Sequence, residues 1–195
     1  MSKVAIQGNA SGTGTLTIAA PNTNTDRTLT LPDSAGTMML TDTGVTTAQM
    51  PAGSVIQVVE NNQTLARFST SSTSFVDTGF FVNITPTSAS SKIVINFNCP
   101  GMINGGNYAY YTIYRDSTDL SDWTNQGFAL GGYNSVGGIW FPVSVTRIDS
   151  PASTSQLTYK VYLKSGDASF SAYAGRNGAT GTKNQVQLIA MEIAG

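Results

Sequence analysis

The chain contains no histidine, and this absence removes a large part of enzyme chemistry. Without an imidazole there is no Ser-His-Asp triad, no histidine general base and no histidine ligand for a metal ion. The sequence also carries neither a P-loop nor a dinucleotide-binding fingerprint. We therefore expect a non-enzymatic protein that holds no cofactor and no metal ion.

Cysteine is nearly absent as well, because Cys99 is the only one in the chain. A single thiol excludes an intrachain disulfide and a cysteine-based zinc site. Cys99 ends the mostly apolar run 93–99, and this position predicts that its side chain acts as a small buried hydrophobe.

Charged residues are scarce: 11% of the 195 residues, with a net charge near −1, against about a quarter in typical soluble domains. The polar share comes mainly from Gly, Ser, Thr and Asn, a composition typical of all-β extracellular or virion proteins. Without a basic excess we expect no nucleic-acid partner. Without a signal peptide or a long apolar run we expect synthesis in the cytosol, no membrane insertion and release within a particle.

Aromatic residues are missing from the first fifty positions, twelve of which are threonine; the first aromatic residue is Phe68. A core normally depends on the large apolar area of aromatic side chains. Such a segment therefore favours packing against other copies of itself over folding alone.

The same segment shows short stretches with period-two alternation, separated by Gly, Pro and Asn turn signals. Leu16 and Ile18 share one face of the first stretch, and Leu29 and Leu31 share one face of the second. A sheet with so thin an apolar face is marginal in water. Three copies around one axis would bury these four side chains, so we expect them to form an oligomer interface and anchor.

A change in composition predicts a domain boundary near residue 52. We expect residues 1–52 to form an N-terminal β anchor or shaft module, and residues 53–195 to form a β-sandwich or jelly-roll head. The second part contains ten candidate strands at Val55–Val59, Leu65–Ser69, Ser74–Ile84, Lys92–Cys99, Tyr108–Arg115, Gly127–Leu130, Ile139–Ile148, Ser155–Leu163, Ser169–Ala172 and Gln185–Ile193. The last of these is apolar on both faces, which predicts an inner strand that also lines a subunit interface.

The order of several short motifs resembles tail fibres of tailed bacteriophages, especially those of cyanophages. The motifs are the threonine-rich segment 8–40, then Gly53–Val59, Ser74–Gly79, Thr85–Ile93 and the ending Met191–Ala194. The resemblance implies a homotrimeric virion protein whose C-terminal domain is jelly-roll-like, similar in outline to TNF or C1q heads. It also implies assembly in the host cytoplasm and exposure on the particle surface.

Two placements on a particle remain open. In the first, the protein is a short tail fibre that docks on other virion proteins through residues 1–52 and contacts a host surface glycan or protein through its head. In the second, it is a trimeric capsid decoration protein that stabilises the phage head. Met1 leads directly into the fibre-like module, so we expect the first fifty residues to be the anchor in either case.

An acidic cluster at Asp116, Asp119 and Asp122 admits three interpretations. It is a solvated loop, a calcium site with oxygen ligands, or a carboxylate pair for glycoside hydrolysis. The spacing matches no EF-hand, and Asp is common in turns, so the solvated loop is favoured.

Aromatic residues near Gly- and Asn-rich segments are the better binding candidates, because aromatic faces stack on sugars and anchor protein contacts. We expect receptor binding at Trp123, Tyr133 and Tyr173, with Arg176 as a charged hydrogen-bond donor. Trp140, flanked by apolar residues, is expected instead to fill the sandwich core or the trimer interface.

Overall fold

The structure is a computed structural model of the full chain, which forms two compact units, Met1–Met39 and Leu40–Gly195. It describes residues 10–15, 17, 22–26, 28, 49–63, 67–123, 125–132, 137–175 and 186–195. The proposed interface residues Leu16, Ile18, Leu29 and Leu31 lie outside the described residues, as do residues 40–48. The predicted boundary near residue 52 therefore stays a prediction.

The described residues of the first unit are all exposed, and they include the segment 22–26 where a turn is expected. The backbone N–H of Thr25 donates a hydrogen bond to the hydroxyl of Thr23 at 3.2 Å. A hydroxyl that caps a backbone N–H two residues on is a common way to stabilise a turn.

The described part of the second unit is built from eleven strands and contains no α-helix. The strands are β1 (Val55–Gln63), β2 (Phe68–Thr70), β3 (Val76–Ile84), β4 (Lys92–Asn104), β5 (Ala109–Arg115), β6 (Thr118–Asp119), β7 (Ala129–Gly131), β8 (Gly138–Asp149), β9 (Leu157–Ser165), β10 (Ala172–Ala174) and β11 (Val186–Ile193). Within the residues described, no helix is long and apolar enough to cross a membrane.

The strands form two antiparallel sheets packed face to face. Sheet I has the order β1-β11-β4-β8. At the far end of β4, β10 pairs with β4 and β2 pairs with β10. Sheet II has the order β3-β9-β5-β6, and β7 also pairs with β5. If β1, β3, β4, β5, β6, β8, β9 and β11 are counted from first to eighth, sheet I reads 1-8-3-6 and sheet II reads 2-7-4-5. This order is the double Greek key of a jelly roll, and the predicted all-β sandwich is confirmed for this unit.

The central strand β4 alternates along its whole length between side chains that face sheet II and side chains that face outward. Ile93, Ile95, Phe97 and Ile103 on its inner side have no exposed surface. They pack against inward-facing residues of β5 and β9, such as the fully buried Tyr111, to form one apolar core. The expected burial of Cys99 is confirmed.

Gly101, also on the inner side of β4, lies where side chains from both sheets crowd together. A Cβ at this position would lie 2.6 Å from the Phe141 ring, 2.6 Å from the Tyr111 hydroxyl and 2.7 Å from Val143. The Tyr111 hydroxyl donates to the carbonyl of Tyr173 at 2.5 Å, which ties sheet II to β10. Only glycine fits here, because any side chain would displace groups from both sheets.

A buried carboxylate fastens the end of the chain to the rest of the sandwich. Glu192 on β11 has no exposed surface. It accepts hydrogen bonds from the Gln57 amide at 2.5 Å, from the Thr87 N–H at 2.7 Å and hydroxyl at 2.8 Å, and from the Ser91 hydroxyl at 2.7 Å. Burial raises the pKa of Glu192, but these donors outweigh it and hold the pKa below its ordinary value.

A second polar contact joins the sheets at their other edge. Arg115 of β5 donates to both oxygens of Asp149 on β8 at 2.8 Å. The Tyr159 hydroxyl donates to the same carboxylate at 2.8 Å. Burial, together with this hydrogen bond, raises the pKa of Tyr159. Ionisable groups placed between the sheets are therefore satisfied by one another.

We predict that Gly101→Ala lowers the free energy of unfolding by about 1–3 kcal/mol, because a methyl group overpacks the contact between the sheets. Urea denaturation of the variant and the wild type measures this difference. Gly138→Ala is the matched control, since its Cβ would meet only the flexible end of Met102, at 2.4 Å. Equal losses in both variants would contradict the steric account.

We predict that Glu192→Gln lowers the free energy of unfolding by about 2 kcal/mol at neutral pH, because charge-assisted hydrogen bonds are lost. The folded-state pKa of Glu192 lies below the ordinary value of 4.5. The contribution of the Glu192 carboxylate to the free energy of unfolding is therefore complete above the ordinary pKa. It disappears as the pH falls through the folded-state pKa. Urea denaturation at a series of pH values checks this, with the exposed Glu60→Gln as control. A difference between wild type and Glu192→Gln that persists unchanged in acid would sink the prediction.

Candidate receptor-binding surface

The most exposed large aromatic side chain in the described residues is Trp123, which lies in the loop after β6 with 68% of its surface accessible. The backbone fixes its position. The Trp123 carbonyl accepts a hydrogen bond from the Gln126 N–H at 3.2 Å and one from the Ser121 hydroxyl at 3.4 Å. The indole therefore projects from a hydrogen-bonded turn.

The base of this loop is anchored on β5. Asn125 and Gly127 take left-handed backbone conformations with φ of 75° and 68°, and a Cβ at Gly127 would lie 2.2 Å from the carbonyl oxygen of Tyr111. The next residue, Phe128, donates its N–H to that same carbonyl at 2.8 Å. The loop can sit this close to the strand because residue 127 is a glycine.

An ion pair holds the loop against sheet I. Arg147 of β8 donates to both carboxylate oxygens of Asp122, at 2.8 and 3.0 Å, and its guanidinium lies 5.3 Å from the centre of the Phe128 ring. Such an exposed pair adds less than about 1 kcal/mol to stability. Its effect is to fix the orientation of polar groups beside the exposed indole.

Asp122, Trp123, Gly127 and Phe128 line a shallow depression of about 320 Å³. An open indole face offers a stacking surface for a sugar ring or for an apolar side chain of a protein. The neighbouring carboxylate and guanidinium supply an acceptor and donors. This chemistry suits the recognition of a polar surface.

Of the other predicted binding residues, the structure describes only Tyr173, and it does not lie at this loop. Tyr133 and Arg176 lie outside the described residues. Tyr173 is half-buried on the outer side of β10, where the guanidinium of Arg67 lies 4.3 Å from the centre of its ring. It pairs with Met102 on β4, whereas Arg147 pairs with Ile95 on that strand. At about 3.3 Å per residue these positions are about 23 Å apart.

Trp140 does not fill the sandwich core. It lies on the outer face of β8, paired with Met102, with 44% of its surface exposed. Its neighbours Ile139 and Phe141 point inward instead, because successive side chains of a strand point to opposite faces. The structure excludes the core placement of Trp140, and its placement in a trimer interface stays a prediction.

The three aspartates of the acidic cluster have separate partners. Asp116 accepts a hydrogen bond from the Thr158 N–H at 3.0 Å. Asp119 accepts from the Thr112 hydroxyl at 2.7 Å, while Asp122 pairs with Arg147. In the described part of the chain, no group of three acidic or thiol side chains could hold a metal ion.

The buried Cys99 thiol is poorly suited to chemistry. Burial raises the pKa of Cys99 to about 12, since the thiolate would be desolvated between the sheets. The thiol is the unreactive form for nucleophilic attack or metal binding.

An apolar row crosses the outer face of sheet I. Val58, Met191, Val94 and Ile148 stand directly beside one another on β1, β11, β4 and β8. The two ends of the row, Val58 and Ile148, are 58% and 59% exposed. Among the described side chains of these four strands that face outward, only Glu60 and Lys92 are charged.

Sequence reasoning missed the partners that shape the Trp123 loop, namely Arg147, Gly127 and Phe128. Arg147 lies 25 positions from Asp122, and no local pattern indicates which carboxylate an arginine on a neighbouring strand will meet. Gly127, two residues after Asn125, is a turn signal. It is the only one of these three residues that a local sequence pattern indicates.

No protein-family model matches the chain, and no curated protein matches it significantly.

Proposed function

We propose that the protein is a non-enzymatic virion protein of a tailed bacteriophage: a homotrimeric tail fibre anchored through residues 1–52 that contacts the host surface with its jelly-roll head. The proposal joins the fibre-like motif order to one structural observation, the exposed apolar row on sheet I. In the N-terminal part it assigns threefold packing to Leu16, Ile18, Leu29 and Leu31.

The row supports self-association because a contiguous exposed apolar band often marks a contact between proteins. Four strands spaced at about 4.8 Å, each with about eight residues rising about 3.3 Å, give a face on the order of 500 Å². Three such faces turned towards one threefold axis would together remove about 1,500 Å² of surface from water. The near absence of charge on the face removes a desolvation cost that would oppose association.

The β8 edge of sheet I, which pairs with no further strand among the described residues, favours association through this face over association through strand addition. Pro142 of β8 stands directly opposite Pro100 of β4. Neither residue has an N–H, so their pair belongs to the positions of an antiparallel ladder that are not hydrogen-bonded. The backbone nitrogen and carbonyl of Pro142 therefore face the outer edge of β8. Because this nitrogen carries no hydrogen, it cannot donate a hydrogen bond to an added strand. Proline at this place blocks an added strand.

In this proposal the Trp123 loop supplies host contact, because it presents the exposed indole beside the Asp122–Arg147 pair. A single depression of about 320 Å³ would bind weakly. Three copies on one particle raise the apparent affinity through effective concentration.

We predict that Val58→Asp combined with Ile148→Asp raises the trimer dissociation constant at least about tenfold, equivalent to about 1.4 kcal/mol. The reason is that like charges would meet in a face that otherwise carries little charge. Light scattering coupled to size-exclusion chromatography over a dilution series measures this. Phe81→Asp, at a 40% exposed apolar residue on sheet II, is the matched control and should remain trimeric. A monomeric wild-type protein at the highest concentration would overturn the assembly proposal.

We predict that particles lacking this protein adsorb poorly to host cells but keep their resistance to heat, and that Trp123→Ala reproduces the adsorption loss with the trimer intact. Adsorption counts and thermal inactivation curves measure the two properties. The opposite pattern, with normal adsorption and capsids that break on heating, would show that the protein is a capsid decoration protein instead.

A further inference from the structure

A second depression, separate from the Trp123 loop, lies on the outer face of sheet II between β3 and β9. It has a volume of about 380 Å³, within the range of about 300–1,000 Å³ typical of small-molecule pockets, and is lined by Asp77, Gly79, Phe81, Asn83, Thr158 and Lys160. None of these residues belongs to the apolar row or to the Trp123 loop.

A bulge in β3 opens this depression. Asp77 pairs with Tyr162, and Phe81 pairs with Lys160. Between these two pairs β3 advances by four residues, whereas β9 advances by two. Gly79 within the bulge has φ of 78°, and a Cβ there would meet nothing within 4 Å. Bulges often occur beside functional sites because they re-aim side chains. Here the bulge leaves space above a glycine.

The bulge is held rigid by its own hydrogen bonds. The Asp77 carboxylate accepts from the Gly79 N–H at 2.8 Å. The Thr78 hydroxyl donates to the Val161 carbonyl at 2.7 Å and accepts from the Phe80 N–H at 3.2 Å. The depression is therefore preformed, which lowers the entropy cost of binding a ligand.

Aromatic and polar groups converge around the opening. Phe81 is 40% exposed on the outer face. Beside it the Lys160 ammonium lies 3.2 Å from a carboxylate oxygen of Asp77. Asn83 stands directly opposite Thr158, and neither the Asn83 amide nor the Thr158 hydroxyl has a hydrogen-bond partner among the described residues. The site offers one ring face, two charged groups of opposite sign, an amide and a hydroxyl.

We propose that this depression binds a pyranose ring of an uncharged carbohydrate. The apolar C–H face of a pyranose matches the exposed ring of Phe81. Its neighbouring hydroxyls both donate and accept, and so do the groups around the opening: the carboxylate accepts, the ammonium donates, and the amide does both. Asp77 offsets the charge of Lys160, which disfavours a strongly anionic ligand. This binding does not depend on the virion role proposed above.

The face beside the depression extends the platform. Lys160 stands between Phe81 and Tyr114, and the rings of Tyr114 and Tyr162 stack with centres 4.0 Å apart. Further along β9 the Lys164 ammonium lies 5.0 Å from the Phe75 ring and 4.9 Å from the Tyr110 ring. These rings and Lys160 continue an aromatic and polar surface beside the depression.

Saturation-transfer NMR with the full-length protein tests the proposal. The probes are the methyl glycosides of glucose, galactose, mannose and N-acetylglucosamine, each measured with wild type, Phe81→Ala and Asn83→Ala. We expect saturation transfer from wild type to at least one glycoside, and a severalfold loss in both variants. Phe81→Leu, which keeps an apolar side chain but lacks the ring face, serves if Phe81→Ala does not fold. Trp140→Ala is the matched control, because it removes an exposed ring on the other sheet, and it should retain the signal.

Two results would overturn the proposal. The first is a wild-type protein that shows no saturation transfer to any of the four glycosides. The second is a signal that survives Phe81→Leu unchanged or disappears in Trp140→Ala, since either outcome places the binding outside this depression.

Discussion

The contact of the two sheets over Gly101 is the constraint on which the rest of the sandwich depends. At this point the Phe141 ring of β8 and the Tyr111 hydroxyl of β5 occupy the space that any side chain at residue 101 would need. Tyr111 then reaches β10 through a hydrogen bond to Tyr173. β4 pairs with β8, β10 and β11. A shift of Gly101 would therefore disturb the strands that neighbour β4.

Much of the fold follows from local patterns, and the sequence predicts it well. All ten predicted strands of the second unit overlap an observed strand, because alternation and turn residues act over a few positions. The two-residue strand β6 was missed, since it is too short to show a period. The fourth predicted strand ends at Cys99, yet β4 continues through Gly101 to Asn104. There Gly101 is required for packing between the sheets. A local sequence pattern carries no information about such a contact.

The binding surfaces are less predictable, for a physical reason. The exposure of Trp123 agrees with its polar sequence neighbours, but the ion pair beside it joins Asp122 to a strand 25 positions away. Trp140 was misplaced because its apolar neighbours suggested a core, although alternation places a residue opposite to its neighbours. The depression at Phe81 escaped notice because it depends on a bulge. Gly79 inside the strand Val76–Ile84 indicates a bulge, but it does not indicate how far the register shifts.

The two outer faces of the sandwich are chemically different although both sheets share one core. The outer side of sheet I has an apolar row and little charge, while that of sheet II has stacked tyrosines with Lys160 and Lys164. Rings and ammonium groups keep interacting with water and with polar ligands, whereas branched aliphatic side chains gain only by leaving water. The aliphatic face is therefore the one suited to contact between copies. Because the sheets lie back to back, that arrangement leaves the tyrosine-rich face outward on each copy.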